Sequence, residues 1–250
     1  MIKLSASSMD SYRKCPRKYY YRYIDKPDIE IPEWPHLEFG TTAHRVLELF
    51  HEYLMKNVVE PRRWPKLMRA CFKKAIDESK EREKFELIKE ELPYLRKIIQ
   101  DYLNVMKRDG LPPVIHNELD FEIMVGDYLV RGFIDRIDRL EPGHYRIVDY
   151  KTNKNPDYLT ETQLAIYALA LQEKYDDIKR FSGAYVLLKH ESEMREFDLG
   201  PAVLERTRQK ILDTGRDINT ETEWEKKPTF LCNWCDYKSI CQDSWAQDSW

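Results

Sequence analysis

Apolar and polar positions fall into helical periods over the first part of the chain. Ser7, with Asp10 three residues on, reads as a helix start capped by Ser7, and this helix runs to about Cys15. There Pro16 either kinks it or opens a second helix. Three prolines between Asp25 and Phe39 make that stretch a loop. After Gly40-Thr41-Thr42, the residues Ala43, Val46, Leu47, Phe50 and Leu54 recur at the spacing of one buried helical face. A further helix begins near Trp64, with Leu67, Met68, Cys71, Phe72 and Ala75 inward, so Cys71 reads as a small buried hydrophobe. Lys84 to Arg108 is helical again, interrupted at Pro93.

Asp109-Gly110-Leu111-Pro112-Pro113 is the sharpest break, and beyond it the period changes to two. Glu118 to Val125, Tyr128 to Leu140 and His144 to Lys151 read as strands, joined by turns at Gly126-Asp127 and Glu141-Pro142-Gly143. A helix from about Tyr158 to Lys174 follows, with Leu164, Tyr167, Ala168 and Leu171 on one side. Phe181 to His190 and Met194 to Leu199 are further strands, and Pro201 to Asn219 a long helix. This order predicts an α/β core, 109–219, with an N-terminal helical region, 1–108, and a cysteine-rich tail, 220–250. Gln-Asp-Ser-Trp occurs twice in that tail, at 242–245 and 247–250.

With 42% apolar and 34% charged residues, the 250-residue chain has a globular composition dense in charge. No apolar run approaches the roughly 18 residues of a membrane span, and Met1-Ile2-Lys3-Leu4-Ser5 lacks the apolar stretch of a secretory signal, so a cytoplasmic protein is expected. The net charge of −3 requires any nucleic-acid contact to rest on local charge. Arg13, Lys14, Arg17, Lys18 and Arg22 alternate with Tyr12, Tyr19, Tyr20, Tyr21 and Tyr23. They form either such a patch or the solvated face of a helix whose tyrosines turn inward.

Asp149 and Lys151 are two apart on a strand and share a face, while Val148 and Tyr150 point to the core. Asp135 lies on the preceding strand, and antiparallel pairing through the Gly143 turn brings it near Asp149. Two carboxylates that close repel unless a cation lies between them, and Mg²⁺ or Mn²⁺ suits oxygen ligands. A lysine beside such an ion can neutralise charge developing on a phosphate and orient an attacking water. Asp138 is expected to face away and pair with Arg136 or Arg139. Glu118 and Glu122, on the first strand, are expected outside the set of direct metal ligands.

Gly132-x-x-Asp135-Arg136-x-Asp138, then Asp149-Tyr150-Lys151-Thr152, then Gln163-x-x-x-Tyr167, resembles the PD-(D/E)XK nucleases of the RecB-like branch. His44, in Gly40-Thr41-Thr42-Ala43-His44, resembles that branch's upstream histidine motif. The resemblance runs from Ser5 to Cys241. It implies one nuclease domain, 1–250, with a restriction-endonuclease-like core of mixed sheet flanked by helices. It also implies metal ligation by His44, Asp135, Asp149 and the Tyr150 carbonyl. Lys151 would act on the attacking water, with Gln163 and Tyr167 lining the site. Arg13, Arg17, Lys18 and Arg22 are the candidate DNA contacts.

Cys15 and the late trio Cys232, Cys235 and Cys241 resemble the iron–sulfur members of this superfamily, the CRISPR-associated exonucleases and the AddB nuclease domain. A structural [4Fe-4S] cluster is thereby implied. Zinc is the alternative, since four thiolates serve either metal. The implied activity is exonucleolytic hydrolysis of DNA from its ends, single strands preferred. A structure-specific or nicking endonuclease with the same centre, or a DNA-end-binding module of nuclease fold, are the alternatives. The chain carries no Gly-x-x-x-x-Gly-Lys-[Ser/Thr] phosphate loop, so any motor must come from a helicase partner. A CRISPR integration partner is the other association the resemblance suggests.

Overall fold

The computed structural model describes residues 2–241, and the repeated Gln-Asp-Ser-Trp lies outside them. In chain order the elements are β1 (Lys3–Leu4), α1 (Ala6–Lys14), α2 (Pro16–Tyr19), α3 (Pro35–Lys56), α4 (Trp64–Glu81), α5 (Phe85–Ile88) and α6 (Leu92–Asp109). They continue with β2 (Val114–Val125), β3 (Tyr128–Glu141), β4 (His144–Lys151), α7 (Thr162–Gln172), β5 (Arg180–Leu187), β6 (Glu193–Asp198) and α8 (Pro201–Thr220). Two compact units result. The larger comprises Trp34–Phe121 and Gly132–Thr207; the smaller comprises Met1–Glu33, Glu122–Arg131 and Arg208–Trp250.

The larger unit has the α/β arrangement expected from the sequence. Its strands run in the order β3-β4-β5-β6, with β2 pairing β3. β3 and β4 are antiparallel, Arg136 opposite Val148, whereas β4 and β5 are parallel, Asp149 opposite Tyr185. The parallel pair needs a crossover, and α7 supplies it. Val148, Tyr150, Ala184, Val186 and Leu188 pack on one face into a core with Phe39, Val46, Phe50 and Leu103 from α3 and α6. On the other face α7 lies so close that a side chain at Gly183 would come within 2.8 Å of Leu164 Cδ1. Every residue of α7 from Leu164 to Leu171 is buried, so this helix is apolar all round and not on one side only.

Several boundaries differ from the periodic reading, each for a local reason. α1 is capped by Ser5 in a capping box with Ser8, which leaves Ser7 inside the helix. Pro16 opens α2, a turn that continues into a π-helical stretch at Tyr20–Asp25. α3 begins at Pro35, well before Gly40, because Pro is preorganised for a first helical turn. Glu38 in that turn is buried, and its carboxylate accepts hydrogen bonds from Thr42, Ser79 and Arg82. Pro93 likewise opens α6 and does not interrupt it. The stretch from Tyr158 to Glu161 is not helical, and α7 starts at Thr162. Among the described residues no helix is long and apolar enough to cross a membrane.

A buried polar network fastens β3 and β4 to the helices. Arg136 donates to the hydroxyls of Tyr102 and Tyr150 at 2.8 and 3.0 Å and to Asp138 Oδ2 at 3.1 Å. The Tyr102 hydroxyl also lies 2.5 Å from His51 Nε2. Asp138 faces away from Asp135's side as expected, but its second partner is Arg146, while Arg139 pairs with Asp177. Asp138→Ala leaves the Arg136 guanidinium buried without its carboxylate. Folding should weaken by about 3–5 kcal/mol, read from urea denaturation, and a loss below about 1 kcal/mol would show that Asp138 is dispensable.

Candidate active site

The strand register that sets Arg136 opposite Val148 carries Asp135 across from Asp149. Asp135 is fixed there by the Tyr150 backbone amide, which donates to its Oδ2 at 2.8 Å. From α3, His44 Nδ1 reaches to 3.3 Å of the same oxygen. Glu118 enters from β2, and one ligand atom from each of His44, Glu118 and Asp135 lies within 4.8 Å of the other two. Glu118 is therefore closer to the acidic centre than the sequence suggested. Its backbone is left-handed, φ 51°, which is unusual for a non-glycine residue and breaks the alternation of β2. Nothing in the residue pattern announces that break.

Lys151 Nζ is 2.7 Å from Asp149 Oδ2 and donates to Gln163 Oε1 at 2.9 Å. The Gln163 amide nitrogen donates in turn to Asp149 Oδ1 at 2.9 Å and to the Tyr167 hydroxyl at 2.7 Å. Gln163 and Tyr167 share a face of α7 at i and i+4, so both reach the strand ends together. The sequence assigned these two side chains to the lining of the site; here they also hold Asp149 and Lys151 in place. His44, Asp135, Asp149, Tyr150, Lys151, Gln163 and Tyr167 thus meet in one place, though they come from two strands and two helices.

Burial and crowding set the charges. Burial lifts the Asp149 carboxyl to about 6, opposed by the Lys151 ammonium and assisted by Asp135. Glu118 is raised to about 7 by burial and then by the charges of Asp135 and Glu48. Burial works against a charge on His44, but the Asp135 carboxylate outweighs it and lifts the imidazole to about 9. Burial would likewise raise Asp135, yet His44 and the Tyr150 amide hold it below the usual carboxylate value.

The residues fit a divalent cation. The Asp149 carboxylate is buried, with the Gln163 amide on Oδ1 and the Lys151 ammonium 2.7 Å from Oδ2. Buried carboxylates set this close repel each other, and a cation between them relieves that repulsion. The neighbouring oxygens of Asp135 and Glu118, with one imidazole nitrogen, form a set suited to a hard ion such as Mg²⁺ or Mn²⁺.

In the smaller unit, Cys15, Cys232, Cys235 and Cys241 line one cavity of about 30 Å³, and none is in a disulfide. The Lys227 amide points at Cys15 Sγ, 3.5 Å away, and the Thr229 amide at Cys232 Sγ, 3.4 Å away. Burial, followed by the other three thiols, pushes the Cys241 thiol up. Four thiols on one cavity, with amides aimed at two of them, are the residue types that a thiophilic metal centre uses. Cys71 is buried in the helical core of the larger unit, as its apolar face predicted.

The tyrosines of the basic stretch turn inward. Tyr12, Tyr19 and Tyr20 surround Trp224, with Tyr19 stacked on it at 5.9 Å. Arg17 donates to the Trp224 carbonyl at 2.7 Å, and Arg13 and Lys14 both pair with Asp10. Lys18 lies 3.5 Å from Asp236, and Arg22 sits over the Tyr23 ring. Much of this cationic charge is therefore engaged within the unit.

The family model of the PD-(D/E)XK nuclease superfamily matches residues 3–242. The chain belongs to that superfamily. One subunit of an ATP-dependent helicase/deoxyribonuclease from Streptococcus agalactiae is 29% identical over 163 residues, covering 61% of the chain. The match spans only 14% of that relative's length. The Gene 69 protein of Mycobacterium phage D29 is 28% identical over 209 residues and covers 74% of each chain. A crystal structure of an Eubacterium rectale protein described as a candidate exonuclease shares the fold, with TM-score 0.52, 14% identity, and coverage of 96% of this chain and 89% of the other.

A protonated His44 must lose its proton to ligate a cation. At pH 8 Asp149 and Glu118 are already ionised, so Mn²⁺ binding should release about one proton, from His44, and tighten as pH rises toward 9. Calorimetry in buffers of different ionisation enthalpy measures this. Unchanged release by His44→Ala would exclude the imidazole as its source.

Proposed function

We propose that the chain is a divalent-metal-dependent DNA nuclease that hydrolyses phosphodiester bonds from DNA ends, with single strands preferred. The observation that carries this reading is the buried Asp149 carboxylate across from Asp135, with His44 and Glu118 gathered at Asp135 and the Lys151 ammonium 2.7 Å from Asp149 Oδ2. His44, Asp135 and Glu118 would hold the ion, together with Asp149 and the Tyr150 carbonyl that the family resemblance implies. Bound Mg²⁺ or Mn²⁺ supplies Lewis acidity at the scissile phosphate and makes a water nucleophilic near neutral pH.

The chain's own groups do the rest. The Lys151 ammonium, steadied by Gln163, offsets negative charge developing on the phosphoryl oxygens and orients the attacking water. Gln163 also keeps Asp149 turned toward Asp135, and the Tyr167 hydroxyl lines the path of the substrate strand. Arg13, Arg17, Lys18 and Arg22 are the candidate contacts to DNA phosphates. Support for DNA as substrate comes from the streptococcal relative, whose name couples a deoxyribonuclease to a helicase. A helicase partner fits a chain with no phosphate loop of its own.

The four cysteines of the smaller unit are assigned a structural [4Fe-4S] cluster, with zinc as the alternative occupant. Cys15 and the cysteines from Cys232 onward would then be tied together by the metal. Protein purified without oxygen should be brown, with broad absorption near ~400 nm, as expected of thiolate-bound iron and sulfide. A colourless protein with stoichiometric zinc would assign the site to zinc instead.

Linear single strands and covalently closed single-stranded circles, each with Mn²⁺, separate the activities. The wild type should degrade the linear strand and spare the circle, and Asp149→Ala should degrade neither. Degraded circles would make the enzyme an endonuclease, and metal-dependent cleavage by Asp149→Ala would overturn the site itself.

A further inference from the structure

Lys151 has a third neighbour besides Asp149 and Gln163. Its ammonium lies over the ring of Tyr185, 5.2 Å from the centroid and within the range of a cation–π contact. Tyr185 sits on β5 directly opposite Asp149 and is 1% exposed, so the contact is screened from water. Its ring is fixed from two sides. Phe197 on β6 packs edge-on against it at 5.7 Å. The Tyr185 hydroxyl donates to the Thr160 carbonyl at 2.9 Å, just ahead of the helix that carries Gln163.

The three holders of Lys151 are not equivalent. Asp149 Oδ2 cannot serve a divalent cation and remain the sole counter-ion of the lysine. The Gln163 carbonyl and the Tyr185 ring are neutral, so both can keep the ammonium in place without competing for the cation. Gln163 supplies one directional contact and the ring supplies a broad electron-rich face. We infer that Tyr185 is a positioning residue for Lys151, acting through the face of its ring. This rests on the reading of Lys151 as the group beside the scissile phosphate.

The test compares wild type with Tyr185→Phe, Tyr185→Leu and Lys151→Met on a linear single strand with Mn²⁺, together with Mn²⁺ affinity by calorimetry and the thermal midpoint. Tyr185→Phe keeps the ring and should retain kcat within about twofold, whereas Tyr185→Leu should lose roughly 2- to 30-fold in kcat, the range of a buried cation–π contact. KM for DNA and the affinity for Mn²⁺ should stay within about twofold in both, because the ring touches neither. Phenylalanine with one to five ring fluorines at position 185 preserves the shape while draining the ring face, and kcat should fall stepwise with fluorine count. That series decides the matter even where Tyr185→Leu is poorly folded. Equal losses in Tyr185→Phe and Tyr185→Leu, a flat fluorine series, or Mn²⁺ affinity falling in step with kcat would each overturn the inference. Full activity in Lys151→Met would instead remove the reading of the lysine; the inference fails by itself when Lys151→Met is inactive and any one of those three outcomes is seen.

Discussion

Two carboxylates held on adjacent strands repel each other, and the larger unit is organised around overcoming that repulsion. Asp135 is pinned by the Tyr150 amide and faced by His44, while Asp149 is held by Gln163 and approached by Lys151. Each acid therefore has one hydrogen-bond donor and one positive neighbour. Burial, assisted by Asp135, still lifts the Asp149 carboxyl well above its ordinary pKa. A protein left with that imbalance is poised to take a cation, which is why acid, imidazole and lysine belong to a single arrangement.

The opposite face of the same strands carries the complementary task. Arg136 and Tyr150 are the sequence neighbours of Asp135 and Asp149, and they point the other way, into a network with Tyr102, His51 and Asp138. Because alternate residues of a strand face opposite sides, anything that locks Arg136 and Tyr150 also locks the acids. A buried guanidinium is costly unless it is paired, and here Asp138 and the hydroxyls of Tyr102 and Tyr150 supply its partners. His44 and His51 are seven residues apart on α3, two turns of one helix, so one element serves both faces of this arrangement. The smaller unit adds different means to its buried aliphatic residues: rings gathered around Trp224 and four thiols around one cavity.

The motif residues were readable along the chain because their spacing follows from local geometry. Asp149 and Lys151 share a face because a strand has period two, and Gln163 and Tyr167 share one because a helix has period near 3.6. The helices of the first hundred residues were visible for the same reason. Helix starts were less so. Ser5 and Ser7 are equally good caps by type, and a proline reads alike as a break or as a first turn until its packing is known.

Residue order and type determined the family, the α/β order of elements and, besides the Tyr150 backbone, six of the side chains that gather at the centre. Only the tertiary structure brought in Glu118 and Tyr185. Glu118 arrives through a left-handed backbone that breaks strand alternation, and Tyr185 through the parallel pairing of β5 with β4. Both depend on contacts between segments far apart in the chain. Local periodicity carries no record of such contacts, since it reports which face a residue takes and not what another strand sets against it.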